Sequence, residues 1–186
     1  MPTKATGGIP VKPNTRYRAS FYAKAAAGFT GPLTVAIISP NNSTVYASAQ
    51  VRRITGEWKK YEITLKTGKV TPTKDAKFFL GTPSPGTVSF SLVSLFPPTW
   101  NNRPNGNRID LMQMLADLKP SFLRFPGGNY LEGRTIATRF DWKKTIGDIS
   151  QRPGHMNDAW RYWSSDGMGL LEFLEWAEDL KMLPVV

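Results

Sequence analysis

The residues with the clearest chemical potential lie in one run, Phe122-Leu-Arg-Phe-Pro-Gly-Gly-Asn-Tyr-Leu-Glu-Gly133. Apolar residues lead into a proline, two glycines and an asparagine, which predicts a buried strand that stops at a tight, ligand-facing loop. Arg124 lies inside that strand, where a charge is costly unless a negative group meets it. Gly127 and Gly128 would allow close backbone approach, and the amide of Asn129 offers a hydrogen-bond donor and an acceptor. The run therefore predicts the rim of an active site.

Other side chains near this run have competing interpretations. Trp142 could stack on an apolar face of a ligand or serve as a packing anchor. We expect the carboxylates of Glu132, Asp141 and Asp166 to act as caps and loop hydrogen-bond acceptors, with Asp166 placed to cap the next helix. His155 follows a Pro-Gly pair, which favours surface packing over catalysis. Arg124 could instead form a structural ion pair, and Gly127 and Gly128 could instead form an ordinary tight turn.

The elements that must position these residues change character at Pro97-Pro98. Over residues 9–97, short runs alternate between apolar and polar residues, and turn residues separate them, which predicts a β-sandwich. After the two prolines, the apolar residues recur at helical spacing and predict, in order, a helix, a strand, a loop, a second helix and a further strand. These elements are 109–118, 122–125, 130–165, 170–180 and 183–186.

That order is typical of a parallel α/β sheet or barrel. Two strands cannot close a barrel that needs eight. We therefore expect the second half to be a piece of a barrel, whose unpaired strand edges would allow oligomerisation.

Composition narrows the functional classes. The chain has 186 residues, 40% of them hydrophobic and 20% charged, which supports a packed core. It has no cysteine and one histidine, so we expect no disulfide, no metal site and no cofactor. The sequence lacks an apolar run long enough for a membrane span, and we expect no signal peptide after Met1-Pro-Thr-Lys. Overlapping glycosylation sequons at Asn41-Asn-Ser-Thr44 point to a secreted parent protein.

All of the net charge of +10 lies in the first half. Residues 1–100 contain 13 Lys and Arg against 3 Asp and Glu, whereas residues 101–186 contain 11 of each class. The contrast suggests two units of different origin. A basic surface attracts nucleic acid, acidic polysaccharide or an anionic cell wall, and a merely solvated surface is the plainer alternative.

Several motifs in the second half resemble one enzyme family, and they occur in the family's order. They are Arg124-Phe-Pro-Gly-Gly-Asn-Tyr-Leu-Glu-Gly133, Phe140-Asp-Trp-Lys-Lys-Thr-Ile-Gly147, Arg152-Pro-Gly154 and Ser165-Asp-Gly-Met-Gly169, preceded by Val93-Ser-Leu-Phe-Pro-Pro98 and Arg103-Pro-Asn-Gly106. Together they resemble the α-L-arabinofuranosidases of glycoside hydrolase family 51. The resemblance implies an incomplete (β/α)₈ TIM-barrel segment over residues 98–186. It places Arg124 near the catalytic nucleophile and Asn129 near the arabinofuranose ring.

The first half resembles carbohydrate-binding modules of the family 4 type, which implies a jelly-roll β-sandwich over residues 1–97. The likeness rests on Val11-Lys-Pro-Asn-Thr-Arg-Tyr17, Trp58-Lys-Lys-Tyr61 and Val93-Ser-Leu-Phe96. Such modules often bind calcium beside an acidic residue, and Ser91-Leu92 at that position weakens the case for such a site.

Aromatic residues of this half are candidates for the core or for a glycan groove. We expect Trp58 and Tyr61 in the core or at its edge. Tyr17, Tyr22 and Tyr46 could line a groove, although alternation does not show which face is concave.

The resemblance implies an extracellular, retaining enzyme that removes terminal arabinofuranosyl groups from arabinoxylan or arabinan of plant cell walls. The family's two catalytic glutamates would lie beyond Val186, so this chain is expected to be inactive alone. The substrate-binding candidates are Gly127, Gly128, Asn129 and Trp142, with Arg124 in support.

Two alternatives belong to other functional classes. One is a non-catalytic carbohydrate-binding module. The other is a basic nucleic-acid-binding protein, for which the sequence has no helix-turn-helix, finger or RNA-binding aromatic signature. We therefore expect neither a nucleic-acid nor a membrane partner.

Overall fold

This computed structural model describes residues 8–186. The described residues fall into two units, which meet between Pro98 and Thr99. The boundary follows Pro97-Pro98, where alternation gives way to helical spacing. Across the described residues, helices are too short or too polar to cross a membrane.

The first unit is a β-sandwich, in agreement with the alternating pattern. Its described strands are β1 (Ile9–Val11), β2 (Arg16–Ala25), β3 (Leu33–Ile38), β4 (Val45–Val51), β5 (Lys59–Lys66), β6 (Thr73–Gly81) and β7 (Val88–Phe96). One sheet has the order β1-β6-β3-β4 and the other the order β5-β2-β7. Neighbouring strands are antiparallel throughout both sheets.

Strand β2 shows how the sequence builds the core. Its alternate residues are buried, whereas the residues between them are partly exposed, because successive side chains point to opposite faces of a sheet. Phe21 is fully buried; its ring stacks on Tyr61 with centroids 5.7 Å apart and meets Phe90 edge-on at 5.8 Å. Leu65 of β5 and Val35 of β3 are also fully buried, so both sheets contribute to one apolar core.

The second unit combines short strands with two helices. Its regular elements are α1 (Ile109–Asp117), β8 (Phe122–Arg124), β9 (His155–Asn157), β10 (Tyr162–Ser164), α2 (Leu170–Asp179) and β11 (Leu183–Val185). Strands β8 and β11 are parallel, whereas β9 and β10 form an antiparallel hairpin. The predicted loop over 130–165 thus contains a hairpin, together with short 3₁₀ turns.

The prediction that the first strand of this unit is buried is wrong. Phe122 is 61% exposed, and Leu183, its register partner on β11, is 67% exposed. Within residues 8–186 the sheet has only these two strands, so little covers either its outer edge or its faces. The apolar residues correctly predict a strand at this position, but among the described residues no further strand joins the sheet to cover Phe122.

Helix α2 is held at its last turn by an arginine from an earlier segment. Arg103 donates from Nε to Asp179 at 2.9 Å, pairs with Glu175 at 3.5 Å and also contacts Glu178. Carboxylates at a helix C-terminus face the negative end of its dipole, and the guanidinium offsets that repulsion. The same ion pairs raise the pKa of Arg103, with the bond to Asp179 as the largest cause.

We predict that Phe21→Ala lowers the free energy of unfolding of the sandwich by about 3–5 kcal/mol, because it leaves a cavity among rings from two strands. Urea denaturation followed by circular dichroism measures the change. Trp58→Ala is the matched control, and since Trp58 is 50% exposed it should cost less than about 1 kcal/mol. Equal losses in both variants would contradict this assignment of the core.

Candidate functional site

Residues 125–133, here called the glycine loop, follow β8 directly. Gly127 has a φ of 66° and Gly128 a φ of 59°, both in the left-handed region that favours glycine. The backbone then makes a 3₁₀ turn over Gly128–Tyr130. The two glycines are therefore required by the path of the chain, which bends sharply where the strand ends.

Arg124 lies against this bend. A Cβ atom on Gly127 would stand 3.1 Å from Cζ and Nη1 of Arg124, so the missing side chain makes room for the guanidinium. The prediction of a buried charge is wrong: Arg124 is exposed, because β8 has only one neighbouring strand. No carboxylate among residues 8–186 forms an ion pair with it. The guanidinium is thus available at the carboxyl end of a parallel strand.

Two of the predicted sugar contacts are also exposed. Asn129 lies in the turn after the glycines, and its side chain is accessible. Trp142 is 42% exposed in a 3₁₀ turn that Asp141 caps by accepting a bond from the amide of Lys143. The ammonium of Lys143 is 5.8 Å from the centre of the Trp142 ring. An exposed indole face of this kind can pack against the C–H face of a sugar ring.

Aromatic rings fix the glycine loop to α2. Phe125 stacks on Phe173 with centroids 3.7 Å apart and meets Phe140 edge-on at 6.1 Å. Tyr130 packs on Phe140 at 5.1 Å, and the amide of Phe140 donates to the carbonyl of Leu131 at 3.3 Å. The loop is therefore anchored on both sides of its glycines.

A chain of hydrogen bonds leads from the glycine loop into the hairpin. Tyr130 donates to Ser164 at 3.4 Å, and Ser164 donates to Asp166 at 3.1 Å. The carboxylate of Asp166, of which only 4% is exposed, also binds Nδ1 of His155 at 2.9 Å. Burial raises the pKa of Tyr130; the bond to Ser164 opposes that effect and the charge of Asp166 adds to it. Tyr130 consequently remains a hydrogen-bond donor at neutral pH.

Two expectations about this chain of residues are wrong. Asp166 does not cap α2; Gly169 occupies the N-cap position, and Glu172 accepts the bond from its amide. His155 is not a surface residue, since its ring packs against Tyr130 and Phe140, each at 5.3 Å. Its Nε2 atom is buried without a hydrogen-bond partner.

The most enclosed charged group of the unit is Arg152, whose side chain is 2% exposed. It binds Glu172 through two parallel bonds, Nη2 to Oε1 at 2.7 Å and Nη1 to Oε2 at 3.1 Å. Its remaining donors reach the carbonyls of Gly147 at 2.8 Å and Asp166 at 2.9 Å. Partial burial acts to raise the pKa of Glu172, but the bonds from Arg152 and from the amide of Gly169 outweigh it, so the pKa is lowered.

A small cavity of about 260 Å³ lies beside the hairpin and is lined by Asp141, Asp158 and Asp166, among others. Asp141 and Asp166 accept bonds from residues two positions away, Lys143 and Ser164. Asp158 accepts bonds from the amide of Arg134 and the hydroxyl of Thr138 in an earlier segment, and these bonds lower its pKa. A general acid needs a raised pKa, so Asp158 is suited to hold loops in place and not to donate a proton. The hydrogen bonds of Asp141 and Asp166 fit the same structural role. Among the described residues, no His, Asp or Glu side chains cluster in a way that could hold a metal ion.

Among the aromatic residues of the sandwich, Tyr61 lies at the core as predicted, whereas the predictions for Trp58 and Tyr17 are wrong. Trp58 is 50% exposed, whereas Tyr61 is partly buried against the core. Tyr17 is 2% exposed, and its hydroxyl binds the backbone of Pro10 and Lys12, so it cannot line a groove.

Phe79 on β6 is an exposed aromatic that the alternation did not single out. It is 41% exposed, and its ring lies over Gly81, where a Cβ atom would overlap it. The two residues are two positions apart and therefore share a face of the strand, which allows the ring to lie over the glycine.

Comparison with known proteins agrees with the motifs. Residues 114–186 match the family described as "Alpha-L-arabinofuranosidase 1 domain", and residues 3–86 match the "Carbohydrate binding domain" family. A solved arabinose-bound α-L-arabinofuranosidase of family 51 is 40% identical, with a TM-score of 0.83 over 95% of this chain and 29% of its own. The chain is thus similar, over most of its length, to part of the α-L-arabinofuranosidases of glycoside hydrolase family 51.

Similar proteins occur in plants and fungi. Alpha-L-arabinofuranosidase 1 of Arabidopsis thaliana is 34% identical over 96% of the chain and 26% of its own length. The probable alpha-L-arabinofuranosidase A of Aspergillus terreus is 37% identical over 96% of the chain and 29% of its own length. The chain thus spans between a quarter and a third of the length of these relatives.

The sequence predicted the exposed loop residues of the second unit but not the ion pair that holds its interior together. Arg152 appeared only as part of a motif, and Glu172 not at all, because the two are 20 residues apart and meet only through folding. A capping-box spacing from Gly169 to Glu172 was the one local signal available.

We predict that Glu172→Gln lowers the free energy of unfolding of the second unit by about 3 kcal/mol, because it leaves the buried charge of Arg152 uncompensated. Asp110→Asn is the matched control: it removes one partner of an ion pair with Arg108 in which both side chains are about half exposed, and should cost less than about 1 kcal/mol. Chemical denaturation followed by aromatic fluorescence measures both. Similar losses in the two variants would contradict the assigned role of the buried pair.

The lowered pKa of Glu172 also sets the direction of a pH effect. Its stabilisation is complete above the ordinary pKa of 4.5 and is lost as the pH falls through the lower folded value. The difference in stability between the natural protein and Glu172→Gln should therefore shrink on acidification below about pH 4.5. A difference that stays constant from pH 7 to pH 3 would show that the ionised carboxylate is not the stabilising form.

Proposed function

We propose that the chain is the glycine-loop and carbohydrate-binding-like part of an extracellular, retaining α-L-arabinofuranosidase that removes terminal arabinofuranosyl groups from arabinoxylan or arabinan. In this proposal residues 1–97 form a jelly-roll module and residues 98–186 form a segment of a (β/α)₈ barrel. Active sites of such barrels lie at the carboxyl ends of the strands. The observation that carries the proposal is the exposed Arg124, Asn129 and glycine bend at the carboxyl end of β8.

Each exposed group has a role in that chemistry. The guanidinium of Arg124 holds a catalytic carboxylate ionised and oriented through charge-assisted hydrogen bonds. The amide of Asn129 donates to one sugar hydroxyl and accepts from another. Trp142 packs on the C–H face of the sugar, and the absence of side chains at Gly127 and Gly128 lets the ring approach the backbone.

A retaining glycosidase also needs two carboxyl groups about 5–5.5 Å apart on opposite sides of the scissile bond. The carboxylates around the hairpin are engaged in loop hydrogen bonds, and Glu172 is paired with Arg152. We therefore propose that neither catalytic carboxylate is among the 186 residues, and that this chain contributes substrate contacts only.

A non-catalytic glycan-binding role for the sandwich is the second candidate, and Phe79 favours it. Its exposed ring lies along the outer face of β6, beside Thr34 and Ala36 of β3, which face the same side. An aromatic ring that lies flat on a sheet is a suitable platform for the apolar face of a sugar.

We predict that the purified 186-residue chain does not hydrolyse an aryl α-L-arabinofuranoside above the rate in buffer, because both catalytic carboxylates are missing. The release of the aryl group, followed by absorbance, measures this. A preparation of Arg124→Gln serves as the control for contaminating hydrolases. Turnover by the natural chain that Arg124→Gln abolishes would contradict the proposal that its acid and nucleophile lie elsewhere.

Sugar contact by the loop is tested separately from hydrolysis. We predict that a neutral arabino-oligosaccharide shifts the indole N–H resonance of Trp142 in an NMR titration, and that Asn129→Ala reduces the shift because it removes hydrogen bonds to the sugar. Trp160, which is 61% exposed on the hairpin, is the internal control and should not respond. Equal responses of both indoles, or none, would refute the assigned contacts.

A further inference from the structure

A cleft of the first unit lies at one end of the sandwich. Its volume is about 780 Å³, and it opens where the end of β2 in one sheet meets the segment that follows β4 in the other. Its floor is apolar and contains Ala25, Phe29 and Ile54, all of them buried. A backbone bond of 2.8 Å from the amide of Ala25 to the carbonyl of Thr55 holds the two walls together.

Three cations surround this floor. Lys24 lines the cleft from β2, and Arg52 and Arg53 line it from the turn after β4. The residues that line it include no Asp or Glu. We call this feature the basic cleft. Because like charges repel, their collection around one concave surface is unfavourable for the free protein and favours the binding of an anion.

The outer face of β2 continues the positive charge away from the basic cleft. Beyond Lys24, the partly exposed residues Tyr22 and Ser20 lead to Arg18 and then Arg16, since alternate residues of a strand share a face. At the far end Lys66 of β5 pairs in register with Arg16. The path from Lys24 to Arg16 is about 26 Å long at 3.3 Å per residue.

Hydroxyl groups separate the two ends of this path. Ser20 lies opposite Ser94 of β7, and their Oγ atoms are 2.8 Å apart. Glu62 is the acidic residue on the neighbouring strand, and Lys60 neutralises it at 2.7 Å. The face therefore alternates cationic groups with neutral donors and acceptors, a pattern suited to a polymer that carries both carboxylates and hydroxyls.

We propose that the basic cleft and the outer face of β2 bind an acidic polysaccharide whose carboxylates are borne on uronate residues. The cleft takes one uronate, with its carboxylate on Lys24, Arg52 and Arg53 and its C–H face on the apolar floor. The chain of sugars then runs along β2 towards Arg16. The residues of this site belong to the first unit, whereas the proposed arabinofuranose contacts belong to the second, and the proposed binding does not depend on hydrolysis.

The cleft is less suited to nucleic acid. Single-stranded nucleic acids bind through exposed aromatic rings on which bases stack, and the aromatic ring of the cleft, Phe29, is only 7% exposed. The match of residues 3–86 to a carbohydrate-binding family also favours a glycan.

Affinity electrophoresis of the 186-residue chain tests this proposal with de-esterified polygalacturonate as the probe. The test variant combines Lys24→Gln, Arg52→Gln and Arg53→Gln. The control variant combines Lys69→Gln, Lys74→Gln and Lys77→Gln, which removes the same net charge from other exposed positions of the same unit. We expect the test variant to lose affinity by about tenfold or more, because it removes three charge-assisted bonds together, and the control by less than about twofold.

Two further probes separate uronate recognition from general charge attraction. Fully methyl-esterified polygalacturonate, which has the same sugars without the charge, should not retard the protein. Single-stranded DNA of equal charge should bind more weakly than polygalacturonate and should not distinguish the two variants. The proposal is overturned by absence of retardation in polygalacturonate, by equal losses in the two variants, or by DNA binding that matches polygalacturonate binding. Folding of every variant is verified by circular dichroism.

Discussion

The arrangement of the second unit depends on one buried ion pair, between Arg152 and Glu172. Desolvation of two charges is expensive, and the pair is tolerated because nearly every donor and acceptor is satisfied. The guanidinium also binds the carbonyls of Gly147 and Asp166, while the carboxylate receives the amide of Gly169 at the start of α2. The pair thus fastens a long irregular segment, which would otherwise have little regular structure, to a single helix terminus.

The ion pair is connected to the glycine loop by a series of contacts that begins at Asp166, whose carbonyl Arg152 binds. Fixing the carbonyl of Asp166 also fixes its carboxylate, which holds His155 and accepts a bond from Ser164. Ser164 and His155 in turn contact Tyr130, the last residue of the turn after the two glycines. On the other side, Phe125 rests on Phe173 of α2 itself. An exposed loop with two positive-φ glycines is therefore kept in one conformation by side chains that are not among the proposed substrate contacts.

Sequence patterns correctly predicted those features that depend on residues close together in the chain. The buried residues of β2 follow the alternation of its sequence. Gly127 and Gly128 adopt positive φ values, which residues with a side chain rarely adopt, as their place at a sharp bend predicts. Predictions failed where contacts between distant parts of the chain determine the environment of a residue. Arg124 has the sequence environment of a buried charge, yet its strand has a single neighbour; Asp166 has the spacing of a cap, yet a partner eleven residues away in the chain captures it. The basic cleft joins segments nearly thirty residues apart, so composition indicated its charge but not its place.

The central claim is that the ion pair positions the hairpin and, through it, the glycine loop. His155 is the only histidine in the sequence, so its imidazole resonances report on the hairpin without ambiguity. The most direct measurement is an NMR comparison of the imidazole signals in the natural chain and in Glu172→Gln. Shifted and broadened imidazole and Tyr130 signals, with Tyr17 of the sandwich unchanged, are the predicted result. Unchanged signals from His155 and Tyr130 would contradict it, because the loop would then be held without the pair.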